Sequence, residues 1–220
     1  MLFPNFVCVD NFFDNPEEEL NFSKKLEYFN ETTCPGKRSK ILHEVDYDFF
    51  NWVNLKICSV FYPNDISNIK FNADTYFQKI HKLEHDNWVH KDDTYRFTAI
   101  IYLNKNNTAG TSIFSAKNFK SSSYNASNIR YDYFKNENKK LSNEKINTIK
   151  KAKDINNERY NKTFSVEGIY NRLIIFDGNT YHASNPMNQD HERLTLISFI
   201  NDIDLQDKTI KYPIPTMRSV

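Results

Sequence analysis

The chain of 220 residues has only four glycines and contains neither a GxGxxG nor a GxxxxGK[ST] stretch, which argues against the glycine-loop nucleotide-binding folds. Cysteine is equally scarce. Cys8, Cys34 and Cys58 are odd in number and show no CxxC spacing, so they read as reduced thiols of a cytoplasmic protein, not as a disulfide framework or a structural zinc site. A net charge of +1 gives no electrostatic case for a nucleic-acid partner. No apolar run approaches the length needed to cross a bilayer, and no membrane partner is expected. Met1 leads straight into LFPNFVCVDNFF with no basic segment, so the start reads as structural. Aromatics, by contrast, are plentiful. With 18 Phe and 13 Tyr, the sequence can build a sizeable core, and its length suits one domain or one domain with an insertion.

Residues 5–13, NFVCVDNFF, have strand composition, and a helix start follows: Asn15 as cap, Pro16 at the first helical position, and Glu17, Glu18 and Glu19 where the helix dipole favours anions. A helix is predicted over 16–29, a polar loop over 30–45, and a second helix over 46–60 from the spacing of Phe49, Phe50, Val53, Leu55 and Val60. Beyond residue 70, YRFTAIIYLN (95–104), NRLIIFD (171–177) and RLTLISFI (193–200) are strand-like, with no regular alternation of helices between them. This pattern favours an antiparallel double-sheet jelly roll over a parallel α/β sheet. The predicted fold is mainly β with helices (α+β), a double-stranded β-helix of cupin-like type. Its parts are an N-terminal strand and supporting helices (1–70), a jelly-roll core (71–114 and 166–204), a basic and partly helical insertion (115–165), and a tail (205–220). The insertion holds twelve Lys/Arg against five Asp/Glu, which is +7, leaving −6 for the remainder. Within it, SNEKINTIKKAKDINNERY (142–160) reads as a surface helix capped by Ser142, packing through Ile146, Ile149 and Ala152.

Four residues carry the chemistry. His90 and Asp92 stand in WVHKDDTYRF, His182 in LIIFDGNTYHASN, and Arg193 in HERLTLISFI. Two imidazoles and one carboxylate can form the facial triad of a non-haem Fe(II) site, leaving iron positions open for cosubstrate and oxygen. His-x-acid alone is weak: six histidines and 28 acidic residues in 220 produce about 0.8 such triplets by chance. Geometry adds weight, because residues i and i+2 at a strand end point to the same face. In RLTLISFI, Arg193, Thr195, Ile197 and Phe199 share a face, and an inward guanidinium is costly unless something pairs with it.

HKDDTYRFTAIIYLN, AGTSIF (109–114), NRLIIFDGNTYHAS and HERLTLISFI together resemble the Fe(II)/2-oxoglutarate-dependent dioxygenases, in particular the prolyl-4-hydroxylase-like branch. VCVDNFFDNPEEEL also resembles the strand-then-helix opening of that family. The resemblance is weak between 30 and 70 and absent over 115–165. It implies that His90, Asp92 and His182 bind Fe(II), and that Arg193, helped by Thr195, holds the distal carboxylate of 2-oxoglutarate. Tyr102 is the candidate for a further contact to that carboxylate, although alternation leaves Ile101 equally placed to face inward. Ala109-Gly110 stands where the family has Gly-Gly. Arg96 and Trp88 flank the expected mouth and are candidate substrate contacts. The implied activity is that of a hydroxylase: with O2, 2-oxoglutarate is decarboxylated to succinate while a peptide or protein side chain, or a small metabolite, receives a hydroxyl group.

Two rival readings stand beside this. His81-Lys82-Leu83-Glu84-His85 is a literal H-x-x-E-H, a zinc-peptidase signature that works only on a helix. The other rival is a non-catalytic jelly-roll binding protein, since fold does not fix function.

Overall fold

Alternating apolar side chains make the strands, and the way they pair places the site. The computed structural model describes residues 6–30, 34–64, 66–81, 87–106, 108–117, 142–187 and 192–205. The strands are β1 (Phe6–Val9), β2 (Tyr28–Asn30), β3 (Lys37–Ser39), β4 (Ile69–Ile80), β5 (Phe97–Tyr102), β6 (Thr108–Ala116), β7 (Tyr160–Gly168), β8 (Arg172–Asp177), β9 (Tyr181–Ser184) and β10 (Arg193–Leu205). The α-helices are α1 (Pro16–Lys24), α2 (Leu42–Val45), α3 (Tyr47–Ser59) and α4 (Asn143–Asn157). Seven strands form a major sheet in the order β1-β8-β5-β10-β4-β3-β2, and three form a minor sheet, β7-β6-β9. The two antiparallel sheets make the jelly roll expected from the sequence, with the helices as its α component.

Strand alternation divides the apolar residues between two cores. One face of the major sheet, with Phe77, Phe97, Ala99, Ile101, Leu173, Ile175 and Leu196, packs against Phe50, Val53 and Ile57 of α3. The other face, with Ile100, Tyr102, Ile174, Phe176, Ile197 and Phe199, meets Ile113 of the minor sheet inside the barrel. Tyr102 is therefore the inward residue and Ile101 the outward one. A buried polar cluster fixes α3 to the sheet. Asn54 Nδ2 donates to Thr75 Oγ1 at 3.0 Å, and the Thr75 and Ser198 hydroxyls lie 3.1 Å apart. Asn171 holds the other end. At φ 61° it occupies the left-handed region, and its side-chain amide exchanges two 2.8 Å hydrogen bonds with the Phe13 backbone.

Several local expectations shift. α3 starts as expected, with Asp46 Oδ1 accepting from the Phe49 amide at 2.9 Å. α1 keeps Pro16 and its three glutamates, but the Asn15 side chain makes no cap; its amide donates instead to Glu18 Oε1 at 2.6 Å. α1 also ends at Lys24, short of the predicted residue 29, because Tyr28–Asn30 leave it to pair with β3. Residues 30–45, expected as loop, hold β3 and α2. Lys37-Arg38-Ser39 joins the sheet through backbone pairing with β4, which leaves no hydrophobic pattern to read. Within 115–165, Ser142 caps α4 through the Lys145 amide at 3.3 Å, and Ile149 and Ala152 are its buried residues. Tyr160–Gly168, however, is a barrel strand pairing along β6, so the interruption of the β texture closes earlier than the sequence suggests. The expectations for 205–220, and for 118–141 inside the insertion, lie outside the residues whose side chains are described. No helix among the described residues is long and apolar enough to cross a membrane.

Candidate metal centre

β9 and the segment before β5 bring the three proposed ligands together. His90 and His182 face each other as an antiparallel bridge, each amide donating to the other's carbonyl at 3.0 and 2.9 Å. Their rings lie 4.3 Å apart. His90 Nε2 is 3.7 Å from Asp92 Oδ1, and His182 Nε2 is 3.4 Å from Asp92 Oδ2. One ligand atom from each residue falls within 4.8 Å of the other two. The second ring nitrogens are already engaged: His90 Nδ1 with the Trp88 carbonyl at 2.8 Å, and His182 Nδ1 with the Thr180 carbonyl at 3.0 Å. A carbonyl accepts only, so each Nδ1 carries a proton, and each Nε2 is the nitrogen that faces the shared point. This donor set fits a divalent transition metal of the Fe(II) type.

His90 and Asp92 do not end a strand as expected. They lie in the link before β5, whose direction is set by a turn in which the Tyr95 amide donates to the Asp92 carbonyl at 2.9 Å. Gly178 makes this possible. The Asp92 amide donates to its carbonyl at 2.9 Å, and a Cβ on Gly178 would run into the Tyr95 and Asp92 carbonyl oxygens. Thr98 Oγ1 then donates to Asp92 Oδ2 at 2.8 Å, steadying the carboxylate. A third support comes from α4. Asn156 Nδ2 donates to the Val89 carbonyl at 3.0 Å, Asn157 Nδ2 donates to the Asn87 carbonyl at 3.0 Å, and Asn157 Oδ1 accepts from the Val89 amide at 2.9 Å. Sequence reasoning missed Thr98, Asn156 and Asn157, since neither spacing nor periodicity links them to His90.

The ligands open onto a cavity of about 270 Å³ that reaches Arg193. Arg193 is 2% exposed. Its Nη1 donates to Ser184 Oγ at 3.0 Å, its guanidinium carbon lies 5.3 Å from the centre of the Tyr102 ring, and its Nε has no partner. Burial holds this group below the ordinary arginine range, while Tyr102 opposes the shift. No carboxylate pairs with Arg193 among the described residues. Thr195, two residues along β10, is fully buried, and its hydroxyl also lacks a partner. A guanidinium with an unpartnered Nε and a hydroxyl without a partner, side by side, are the complement of a buried carboxylate. Tyr102 is fully buried, its hydroxyl 2.8 Å from Thr111 Oγ1, and burial pushes the phenol up. Ser184 was legible in principle, standing two residues after His182 on the same face of β9.

The two candidate substrate residues sit elsewhere. Trp88 is 2% exposed and packs into the core with its indole N–H unpartnered, and Arg96 reaches Asp202 at 3.5 Å. Neither lines the cavity: Trp88 is buried before His90, and the turn after Asp92 directs Tyr95 inward and Arg96 away from it. The helix required by the zinc-peptidase reading is replaced, up to Ile80, by β4, which pairs with β10 along its length. His81 follows that strand and meets Glu192 at 3.2 Å, and Glu84 and His85 lie outside the described residues.

The fold is shared with solved 2-oxoglutarate oxygenases. A prolyl hydroxylase from Trichoplax adhaerens, in complex with a hypoxia-inducible-factor peptide, aligns over 89% of this chain and 83% of its own, with 15% identity and a TM-score of 0.52. The epimerase SnoN of nogalamycin biosynthesis, in complex with Fe3+, α-ketoglutarate and nogalamycin RO, aligns over 96% and 89%, with 11% identity and a TM-score of 0.53. The chain spans 58% of the length of a prolyl 4-hydroxylase from Phytophthora capsici, covering 89% of itself at 13% identity with a TM-score of 0.46. No curated protein matches by sequence. Residues 4–200 match the model of DUF6445, and the chain belongs to that family of unknown function.

Proposed function

We propose that the chain is an Fe(II)- and 2-oxoglutarate-dependent oxygenase that hydroxylates a peptide or protein side chain or a small metabolite. One observation carries the reading: a cavity with two imidazoles and a carboxylate at one end and, at the other, a buried arginine that no carboxylate pairs with among the described residues. His90 and His182 would hold the metal through Nε2, and Asp92 through its carboxylate. Arg193, with Thr195 beside it, would receive the distal carboxylate of 2-oxoglutarate, and Tyr102 would form the wall against which the guanidinium rests. Iron and 2-oxoglutarate together supply the oxidising chemistry, consuming O2 and releasing succinate and carbon dioxide as a hydroxyl is placed on the substrate. The protein's own share is to orient these groups and to exclude water from the pocket between Arg193 and the ligands. The free thiols of Cys8, Cys34 and Cys58 fit a reducing, cytoplasmic setting.

The test is anaerobic titration of the Fe(II)-loaded protein with 2-oxoglutarate, following the metal-to-ligand charge-transfer absorption, then admission of air and measurement of succinate. His90→Ala and Asp92→Ala are expected to abolish both signals. Arg193→Ala should weaken 2-oxoglutarate binding by about 30-fold or more, since breaking a buried charged pair costs roughly 2–5 kcal/mol. A wild-type protein with neither absorption nor succinate would be a jelly-roll binding protein.

A further inference from the structure

Resting on that oxygenase reading, we propose that Arg38 is the receptor for a carboxylate on the primary substrate, which is therefore a small organic acid such as a free or N-acylated amino acid. Arg38 stands on β3 opposite Gln78 of β4 and lines the same cavity as the histidines. Its guanidinium carbon lies 5.2 Å from the Tyr76 ring centre and 5.1 Å from that of Phe199. Its Nε is buried without a hydrogen-bond partner, and no carboxylate pairs with it among the described residues. A guanidinium seated against aromatic faces can still offer its N–H donors for a two-pronged contact with a carboxylate.

Position separates Arg38 from the cosubstrate end. Phe199, on which Arg38 rests, is the β10 partner of Thr98, and Thr98 holds Asp92. The Arg38 backbone stands level with Thr195 through Gln78, but its guanidinium reaches along the sheet to Phe199, six residues from Arg193 on β10. A five-carbon diacid reaching from the ligands to Arg193 leaves Arg38 without a carboxylate from the cosubstrate, and on the protein side the nearby Asp74 is engaged by the Tyr95 hydroxyl at 3.0 Å. The turn that carries Arg38 is firmly seated. Gln78 Nε2 donates to the Pro35 carbonyl at 2.8 Å, and Gly36, at φ 74°, lies so close to β4 that a Cβ would meet the Lys79 carbonyl.

The charge balance points the same way. Arg38, Lys91 and Arg193 are the permanent cations of the cavity wall and Asp92 its one carboxylate, so the wall carries two net positive charges. A divalent ion raises this to four, and a 2-oxoglutarate dianion returns it to two. Such a wall draws in anions and disfavours cations. A cavity of about 270 Å³ shared with 2-oxoglutarate accommodates a small acid or the reacting end of one.

The experiment uses the full chain loaded with Fe(II) and 2-oxoglutarate under anaerobic conditions. Probes are the common L-amino acids, their N-acetyl derivatives and monocarboxylates from acetate to hexanoate, each beside its carboxamide. We expect at least one acid to shift the charge-transfer absorption, and its amide to need at least tenfold higher concentration. Arg38→Gln, compared with wild type at matched 2-oxoglutarate saturation, should lose the acid response at least tenfold. If no acid shifts the band, if acid and amide act equally, or if Arg38→Gln responds like wild type, the assignment is overturned. Absence of the band before any probe is added would instead overturn the oxygenase reading. The acid–amide comparison needs only wild-type protein, so the proposal remains testable if the variant does not fold.

Discussion

At Asp92 one hydroxyl decides which way a carboxylate faces. Thr98 Oγ1 donates to Oδ2 at 2.8 Å, and Oδ1 is left toward His90. Thr98→Val keeps the shape of the side chain but removes the donor, so the carboxylate can turn. Metal affinity should fall by about 10–100-fold, the usual cost of losing a support behind a ligand, as measured by competition against a chelator of known affinity. Unchanged affinity would remove Thr98 from the site. The three proposed ligands and Arg193 were readable, because residue type and order single out His90, Asp92, His182 and Arg193. Thr98 was not, because a threonine in an apolar strand run carries no mark of which neighbour it bonds.

Among the elements, α4 has a role that its composition hides. Its sequence is that of a charged surface helix, and most of its length is solvated. Its last turn nevertheless supplies Asn156 and Asn157 to the backbone of Asn87 and Val89, immediately before His90. Asn157→Ala removes one donor and one acceptor from that segment while leaving the helix backbone intact. The expected result is about tenfold weaker metal binding and faster hydrogen exchange at Val89, read by mass spectrometry. Exchange equal to wild type would show that the segment holds itself. The β2–β3 hairpin was equally hidden, because three polar residues joined to a sheet by backbone pairing show no alternation.

The whole molecule holds several protons more tightly than an unfolded chain does. Burial pushes the Cys58 thiol from its ordinary 9.0 up to about 12. It also raises Tyr28 and Tyr95 from 10.0 to about 12. Above about pH 9 the unfolded chain loses protons that the folded chain keeps, so the stability present below that pH is lost progressively up to about pH 12. Guanidinium midpoints should therefore hold steady up to about pH 9 and fall beyond it. Cys58→Ala should flatten the first part of that decline, and an identical decline would show that Cys58 is not its source. At this scale the amino-acid order alone determined the strand-rich class, the principal helix starts and the identities of the proposed ligands, because alternation, capping and donor chemistry are local properties. Tertiary structure alone decided that Tyr102 faces inward, that Arg96 and Trp88 stay out of the cavity, and that Thr98, α4 and Arg38 reach the site. Those outcomes depend on strand register and on turns joining residues tens of positions apart, and such pairing leaves no periodic trace in the chain.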